Sequence, residues 1–315
     1  MYSAKETNGD VTTGVEMTPK RYSDCSLEGT TEEITSDVII PETRIPSTPE
    51  QGSESSAGDV ATEWNIDEQD DWFAGVFCSD WTEPVVAENV TTSELTLGDS
   101  MASFRLVKKY PQTPVLWQMF TKVFINQLTM DFATDSFVKL TWNLMGSNNP
   151  TLQNTDPLAD KTADYKTAST TKSFLTKSGF LKIGDSVEGL TSLRQSPSLN
   201  ISINNNMERT PALFEQEAIE NSLGDFIVTG SMDCYNADDT AQDLYNDAVI
   251  GKDKVLQVAV SRKVGTTTTE YELTLNVHLS APTESKNGNK LQFSIPFTLN
   301  DVTDLKLKKT VTTNV

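Results

Sequence analysis

The chain has 315 residues, 37% of them apolar, and a formal net charge of −20, so it is long enough for one large domain or two ordinary ones, each with a full core. Three cysteines, Cys25, Cys78 and Cys234, show no CxxC spacing, which argues against a disulfide framework or a zinc ribbon. No run of about 20 apolar residues offers a membrane helix, and the polar residues 1–10 do not read as a signal peptide; the expectation is a soluble protein made in a cytoplasm, with no membrane partner.

The charge is uneven. Residues 1–100 carry 22 acids and 4 bases, whereas residues 101–315 carry 23 acids and 21 bases. A surface of that sign repels phosphate, which argues against gripping nucleic acid through counterion release. A solubilising acidic face accounts equally well for the same composition.

In chain order, residues 1–22 are rich in Thr, Glu, Lys and Gly and read as a flexible arm. Residues 46–58, with Pro, Ser, Glu and Gly, read as an exposed loop. The segment 67–77 predicts a helix, with Asp67 as N-cap, acids in the first turn, and Trp72, Phe73, Val76 and Phe77 on one stripe. Alternating patterns then predict strands over 103–109, 122–132 and 137–145. In the second, Val123 and Ile125 share a face that Leu128, Met130 and Phe132 continue only after a one-residue shift, so a β-bulge is expected near Asn126. The polar tract 146–173 splits the chain near its middle and reads as a linker or functional loop.

Beyond the tract, strands are expected over 199–204, 226–235, 255–262, 271–279 and 291–298, rich in β-branched and aromatic residues. A second helix, 239–249, lies over 67–77 without a gap. Asp239 falls on Asp67, Asp243 on Asp71, and Leu244, Tyr245, Ala248 and Val249 on Trp72, Phe73, Val76 and Phe77. Two unrelated amphipathic helices would share that pattern too. However, each helix follows a Gly-Asp step (Gly58-Asp59, Gly224-Asp225) read as opening a strand, and each precedes three strands. The repeated order favours duplication: a first β domain over 23–146, a linker or loop over 147–190, a second β domain over 191–302 and a tail over 303–315.

The search for catalytic chemistry returns little. The single histidine, His278, sits in a strand pattern, and there is no GxSxG, GxxxxGK, strand-linked GxGxxG or HExxH. Neither acidic cluster continues as a calcium loop, and the triplets Asn89-Val-Thr91 and Asn200-Ile-Ser202 are of a kind that arises by chance. Strand-rich sequence without a basic patch or pocket signature fits a building block, with no enzyme activity, cofactor or metal expected.

The segment 26–41 (SLEGTTEEITSDVIIP), followed by Arg44 and Ile45, resembles the opening of phage tail tube proteins, the major tail proteins of long-tailed bacteriophages. Its Gly-Thr-Thr, Ser-Asp, apolar-Pro and Arg steps occur in that family's order. The resemblance continues through Gly58-Asp59, the helix 70–74 (DDWFA), Trp81, strands 120–132 and 138–146, and, in the second half, 199–204, 224–230, Tyr245 and 295–298. The stretch 47–58 departs from it by lacking a Gly-Gly-Asp step.

The resemblance implies a mainly β fold: tandem tail-tube-type β-sandwich or barrel domains, each with one flanking helix. Strands of neighbouring subunits would join to close a barrel, which removes free sheet edges. Six domains per ring imply a homotrimeric, pseudo-sixfold ring, with a homohexamer as the alternative. Rings stack into a tube that DNA traverses without specific binding. It further implies tape measure, tail terminator or tip proteins as partners, a place in the virion tail, and assembly in the host bacterial cytoplasm.

Gln127, Thr129 and Asp131 with Lys139, Thr141 and Asn143 are candidates for the lumen face, or for an ordinary solvated sheet face. The arm before Arg21 and the tract 146–173 are candidates for bridging successive rings. The alternatives are another virion protein, such as a tail terminator or capsid decoration, or a β-sandwich binding module.

Overall fold

The computed structural model describes all residues except 8, 37–38, 41–44, 47, 211–214, 216–219, 237–238, 288–289 and 314–315; Asp37, Pro41 and Arg44 of the opening motif therefore lie outside the described residues. The protein is mainly β, with two α-helices and no closed barrel among the described residues.

The first half contains β1 (Tyr2–Lys5), β2 (Glu16–Pro19), β3 (Asp24–Cys25), β4 (Glu28–Ile34), β5 (Ile39–Ile40), β6 (Ile45–Pro46), β7 (Glu50–Glu63), α1 (Asp70–Phe77), β8 (Val85–Ala87), β9 (Val90–Thr96), β10 (Phe104–Tyr110), β11 (Leu116–Ala133) and β12 (Lys139–Gly146). The remainder contains β13 (Asp164–Tyr165), β14 (Gly179–Gly184), β15 (Thr191–Ser192), β16 (Ser198–Asn204), β17 (Glu208–Thr210), β18 (Glu220–Ser222), β19 (Ile227–Tyr235), α2 (Asp239–Val249), β20 (Asp253–Val264), β21 (Thr267–Leu279), β22 (Thr283–Asn287) and β23 (Lys290–Thr313).

Eight strands lie side by side in one antiparallel arc, in the order β4, β7, β12, β11, β16, β19, β23, β22. The short β3 continues the line of β4 along β7. Alternation gives the arc two unlike faces: Leu140, Trp142 and Leu144 are buried while Lys139, Thr141 and Asn143 between them are not. In β11 the register slips between Ile125 and Gln127. That bulge at Asn126 lets one strand serve two sheets: Leu116–Val123 pairs with β10, and Gln127–Ala133 pairs with β12 and β16.

The apolar face is covered by α1 and by an outer sheet of β8, β9, the latter part of β23, β21, β20, β14 and β15. Together they enclose one continuous core. Its centre is aromatic. Phe73 of α1 lies 5.2 Å from Trp142 and 5.0 Å from Trp64, which lies 5.3 Å from Tyr271. The Trp142 indole is satisfied by donating to Thr62 Oγ1 at 3.0 Å, as a buried N–H requires.

Several expected elements take another form. Residues 1–22 are not a free arm: β1 and β2 join β10 and the first part of β11 in a small sheet. Ala4, Val11 and Met17 are buried there with Trp117 and Leu158. The tract 147–190 is not a bare linker, since β13 runs parallel to β2 and β14 pairs with β20. The stretch read as a loop over 46–58 is largely strand, because β4 pairs with β7 over Glu50–Ala57 and β12 joins on the other side from Ser56. The described part of the tail, 303–313, is the end of β23, with Leu305 and Leu307 buried.

Helix α1 begins at Asp70 after Gln69, so Asp67 is not its N-cap. The chain turns before the helix instead: Asp67 has φ +62°, and Gln69 Oε1 accepts from the Asn65 N–H at 3.0 Å.

The same pairing order occurs in both halves. Strand β7 pairs with β12, β12 with β11 and β11 with β10; β19 pairs with β23, β23 with β21 and β21 with β20. Each set has a helix after its first strand, and each first strand is flanked outside, by β4 or by β16. The glycines that correspond are Gly58 and Gly230, not Gly58 and Gly224. A Cβ on Gly58 would lie 2.4 Å from Ser26 O, and one on Gly230 2.4 Å from Asn200 O. Gly58 lies inside β7 rather than opening it. Tyr245 of α2 meets Phe293 edge-on at 5.4 Å, much as Phe73 meets Trp142.

A polar clasp ties the last strand to the first helix. Lys309 Nζ donates to Asp67 Oδ1 and Asp70 Oδ2, each at 2.5 Å, and the Tyr271 hydroxyl donates to Asp70 Oδ1 at 2.7 Å. Burial, then the neighbouring Asp70 carboxylate, push the Tyr271 phenol well above its ordinary value. Burial alone would lower Lys309, but the charge and hydrogen bonds of Asp70 and Asp67 outweigh it and raise the ammonium. Both folded-state values lie above the unfolded ones, so while Asp70 and Asp67 are ionised the stabilisation is present up to about pH 10 and is lost as pH rises beyond it. Calorimetry on Tyr271→Phe should accordingly show a lower Tm at pH 8 but a shallower fall above about pH 10 than the parent protein. Trp142→Ala, which empties the aromatic centre, should cost about 3–5 kcal/mol in urea unfolding.

Candidate functional site

With both helices packed against the apolar side, the opposite face of the arc is the extended feature left for function. Its centre consists of the two sets expected from alternation, now seen as cross-strand partners: Gln127 faces Asn143, Thr129 faces Thr141 and Asp131 faces Lys139. On one side β7 adds Asp59, Ala61 and Glu63 in register. On the other, β16 adds Asn204, Ser202 and Asn200, and β19 adds Thr229, Ser231 and Asp233.

These side chains bond along the face rather than into the core. Asn143 Nδ2 donates to Asp59 Oδ1 at 2.8 Å, Gln127 Nε2 to Ser202 Oγ at 2.8 Å, Asn200 Nδ2 to Asp131 Oδ1 at 2.5 Å, and Ser198 Oγ to Asp233 Oδ2 at 2.6 Å. Each bond joins neighbouring strands, so the face is a ladder of amides, hydroxyls and carboxylates that reinforces the sheet. The residues in register here carry the charges of Asp59, Glu63, Asp131 and Asp233 against Lys139. Such a surface holds water and does not retain a polyanion.

The other singled-out residues lie on the opposite side. Trp72 and Phe73 are fully buried, Leu244 is buried, and Tyr245 is partly buried against the core. Asp239 is exposed at the first position of α2, and Asp67 belongs to the Lys309 clasp. They are structural residues on the helix side, separate from the polar face.

Two of the three thiols, Cys78 and Cys234, are buried. Burial, with smaller contributions from Asp99 and Asp233, pushes Cys78 up to about 11 and Cys234 up to about 12, so both are protonated near neutral pH. His278 Nδ1 lies 2.7 Å from Asp253 Oδ1 in an exposed cross-strand pair. Among the described residues no group of three or more His, Cys, Asp or Glu side chains is placed to hold a metal ion.

A long polar sheet face backed by a helix-covered core, without catalytic or metal-binding groups assembled among the described residues, is compatible with a structural role, and the comparison with protein families supplies one. The model of the phage tail tube protein family matches residues 1–299. The chain belongs to the phage tail tube protein family. It is thus a structural subunit of a bacteriophage tail tube, located in the virion tail. No curated protein sequence matches it significantly.

Sequence reasoning missed the contributions of β7, β16 and β19 to the face of this tail tube protein. Alternation in 199–204 and 226–235 predicted the strands but not their place on this face, which depends on β16 pairing with β11 across about 65–77 residues of sequence and on β19 pairing in turn with β16. Gln127→Ala, which removes the bond to Ser202, should cost about 1 kcal/mol of unfolding free energy, and Thr141→Ser less. Any effect beyond that should be seen in assembled tubes, and parallel measurements on monomer and tube would separate the two.

Proposed function

We propose that three copies of this subunit close a pseudo-sixfold ring, that rings stack into a tube, and that the polar face of the arc lines the lumen. The carrying observation is the eight-strand antiparallel arc, in which two sets of four strands with the same pairing order stand side by side. Residues 23–146 and 191–302 approximate two tail-tube-like domains, with β14 and the end of β23 added to the second.

Eight strands from each of three subunits make a barrel of 24. With a strand spacing of about 4.8 Å and a tilt of about 40°, such a barrel measures about 45–50 Å between opposite backbones. That is wide enough for a DNA duplex. Gln127, Thr129, Asp131, Lys139, Thr141 and Asn143 then point into the lumen, where an acidic, hydrated wall lets DNA pass without holding it.

The lobe formed by residues 1–22 with the tract 147–166 bridges successive rings. Its buried residues mean that deleting the arm would expose the small core around Met17 and Trp117, so surface substitutions, not truncations, are the suitable probes. The end partners are a tape measure protein and terminator or tip proteins, the role is non-enzymatic, and assembly occurs in the host cytoplasm before the tail joins the virion. Electron microscopy of tubes from the purified protein should show three subunits per ring. Six subunits per ring would overturn the tandem reading.

A further inference from the structure

The arc ends in two edges with no strand beyond them among the described residues: the outer edge of β3–β4 and the outer edge of β22. The seam between the halves shows how such edges meet. In the first half, the outer side of β11 is divided, Leu116–Val123 being taken by β10 and Gln127–Ala133 by β16. In the second half, β20 covers β21 from Thr267 to His278. Strand β22 then continues the line of β21 along β23, from Leu279 opposite Phe297 to Thr283 opposite Ser294. Strand β22 is therefore the counterpart of the last part of β11, with the place of β16 empty.

The counterpart of β16 is the β3–β4 line. Strand β16 flanks β19 as β3–β4 flanks β7, and the two close glycine contacts set Ser26 equal to Asn200. We infer that the β3–β4 edge of one subunit pairs antiparallel with β22 of the next, in the register that β16 adopts on β11. This rests on the ring proposed above and assigns its seam.

The register follows from the ladders. Asp131 faces Lys139, and Lys139 faces Glu63, five residues after Gly58. Five residues after Gly230 stands Tyr235, which faces Gln292, and Gln292 faces Ser285. Ser285 thus corresponds to Asp131. Within the chain Asp131 faces Asn200, so between chains Ser285 faces Ser26, with Thr283 opposite Glu28.

Both edges are fit for this. Asp24, Ser26 and Glu28 are exposed, as are Thr283, Glu284, Ser285 and Lys286, so the seam is polar and backbone bonds supply its cohesion. Polar and charged side chains also keep the edges from indiscriminate pairing in the free subunit. The Tyr245 hydroxyl donates to Glu284 Oε1 at 2.6 Å, fixing β22 to α2 before a partner arrives. Leu27, whose peptide groups point outward, is fully buried in the free subunit with its carbonyl accepting from Lys108 Nζ, so the Lys108 side chain moves aside as the neighbouring strand docks, and the carbonyl's second lone pair takes the strand bond. Strand directions agree as well, because an arc with an even number of alternating strands presents antiparallel edges to its own copy.

Cysteine pairing tests the register. Ser26 directs its N–H to Asp59 O on β7, which makes it a non-hydrogen-bonded position on the outer edge. Facing α-carbons at such a position stand about 4.5 Å apart, within disulfide reach. In a Cys25→Ser background, tubes of Ser26→Cys/Ser285→Cys subunits should convert under mild oxidation almost wholly to covalent species, ending at three linked chains. Ser26→Cys/Thr283→Cys, two residues out of register, should remain mostly unlinked. Tubes that form but stay unlinked at 26–285, or link better at 26–283, would overturn the seam while leaving the tube function intact. Failure of the parent protein to form rings or tubes would overturn that function itself, and this seam with it.

Discussion

An open β-sheet carries a row of unpaired peptide groups along each outer edge, and everything about this subunit is organised around where those rows lie. Most strands are satisfied within the chain. The small sheet ties down the N-terminus, and the outer sheet closes over the aromatic core around Trp64, Trp142 and Tyr271. The arc alone remains long and regular, and among the described residues no strand pairs with its outer edges. An ordinary globular protein blunts such a feature; a tail tube subunit keeps it.

The two faces of the arc divide the labour. One anchors α1 and α2 through large side chains such as Phe73 and Leu244, and this fixes the curvature and register of the strands beneath. The other is a lattice of short polar contacts between neighbouring strands. Because successive residues alternate between the faces, a one-residue slip would drive Lys139 and Asp131 into the core and expose Leu140 and Met130. Core packing therefore sets the register of the polar side without any structure built upon it.

Much of this was legible where alternation is strong. The span of α2, the bulge at Asn126 and strands β11, β12, β16, β19 and β21 follow from period two or from a clean amphipathic stripe. The misread segments share a physical cause. The start of β7 is Ser-, Gly- and Glu-rich with poor intrinsic β preference, and its conformation comes from pairing with β4, which β12 joins on the other side only from Ser56 onward. The end of β23 looks like a charged tail because Lys306, Lys308 and Lys309 dominate it, yet Leu305 and Leu307 are buried between them. Residues 1–22 form strands only because β10 and β13 are there to receive them. The polar face was half visible: β11 and β12 lie close in sequence, whereas β16 and β19 reach it through long-range pairing.

The seam between β11 and β16 has a kinetic consequence. Two modules that would otherwise have to find each other by diffusion are joined by one polypeptide, so their meeting occurs at an effective concentration set by the connecting chain rather than by expression level. In the ring proposed above, every subunit would bring half of the junctions already made. The two joined modules would also be free to diverge, because a mutation in one would not recur in all six positions.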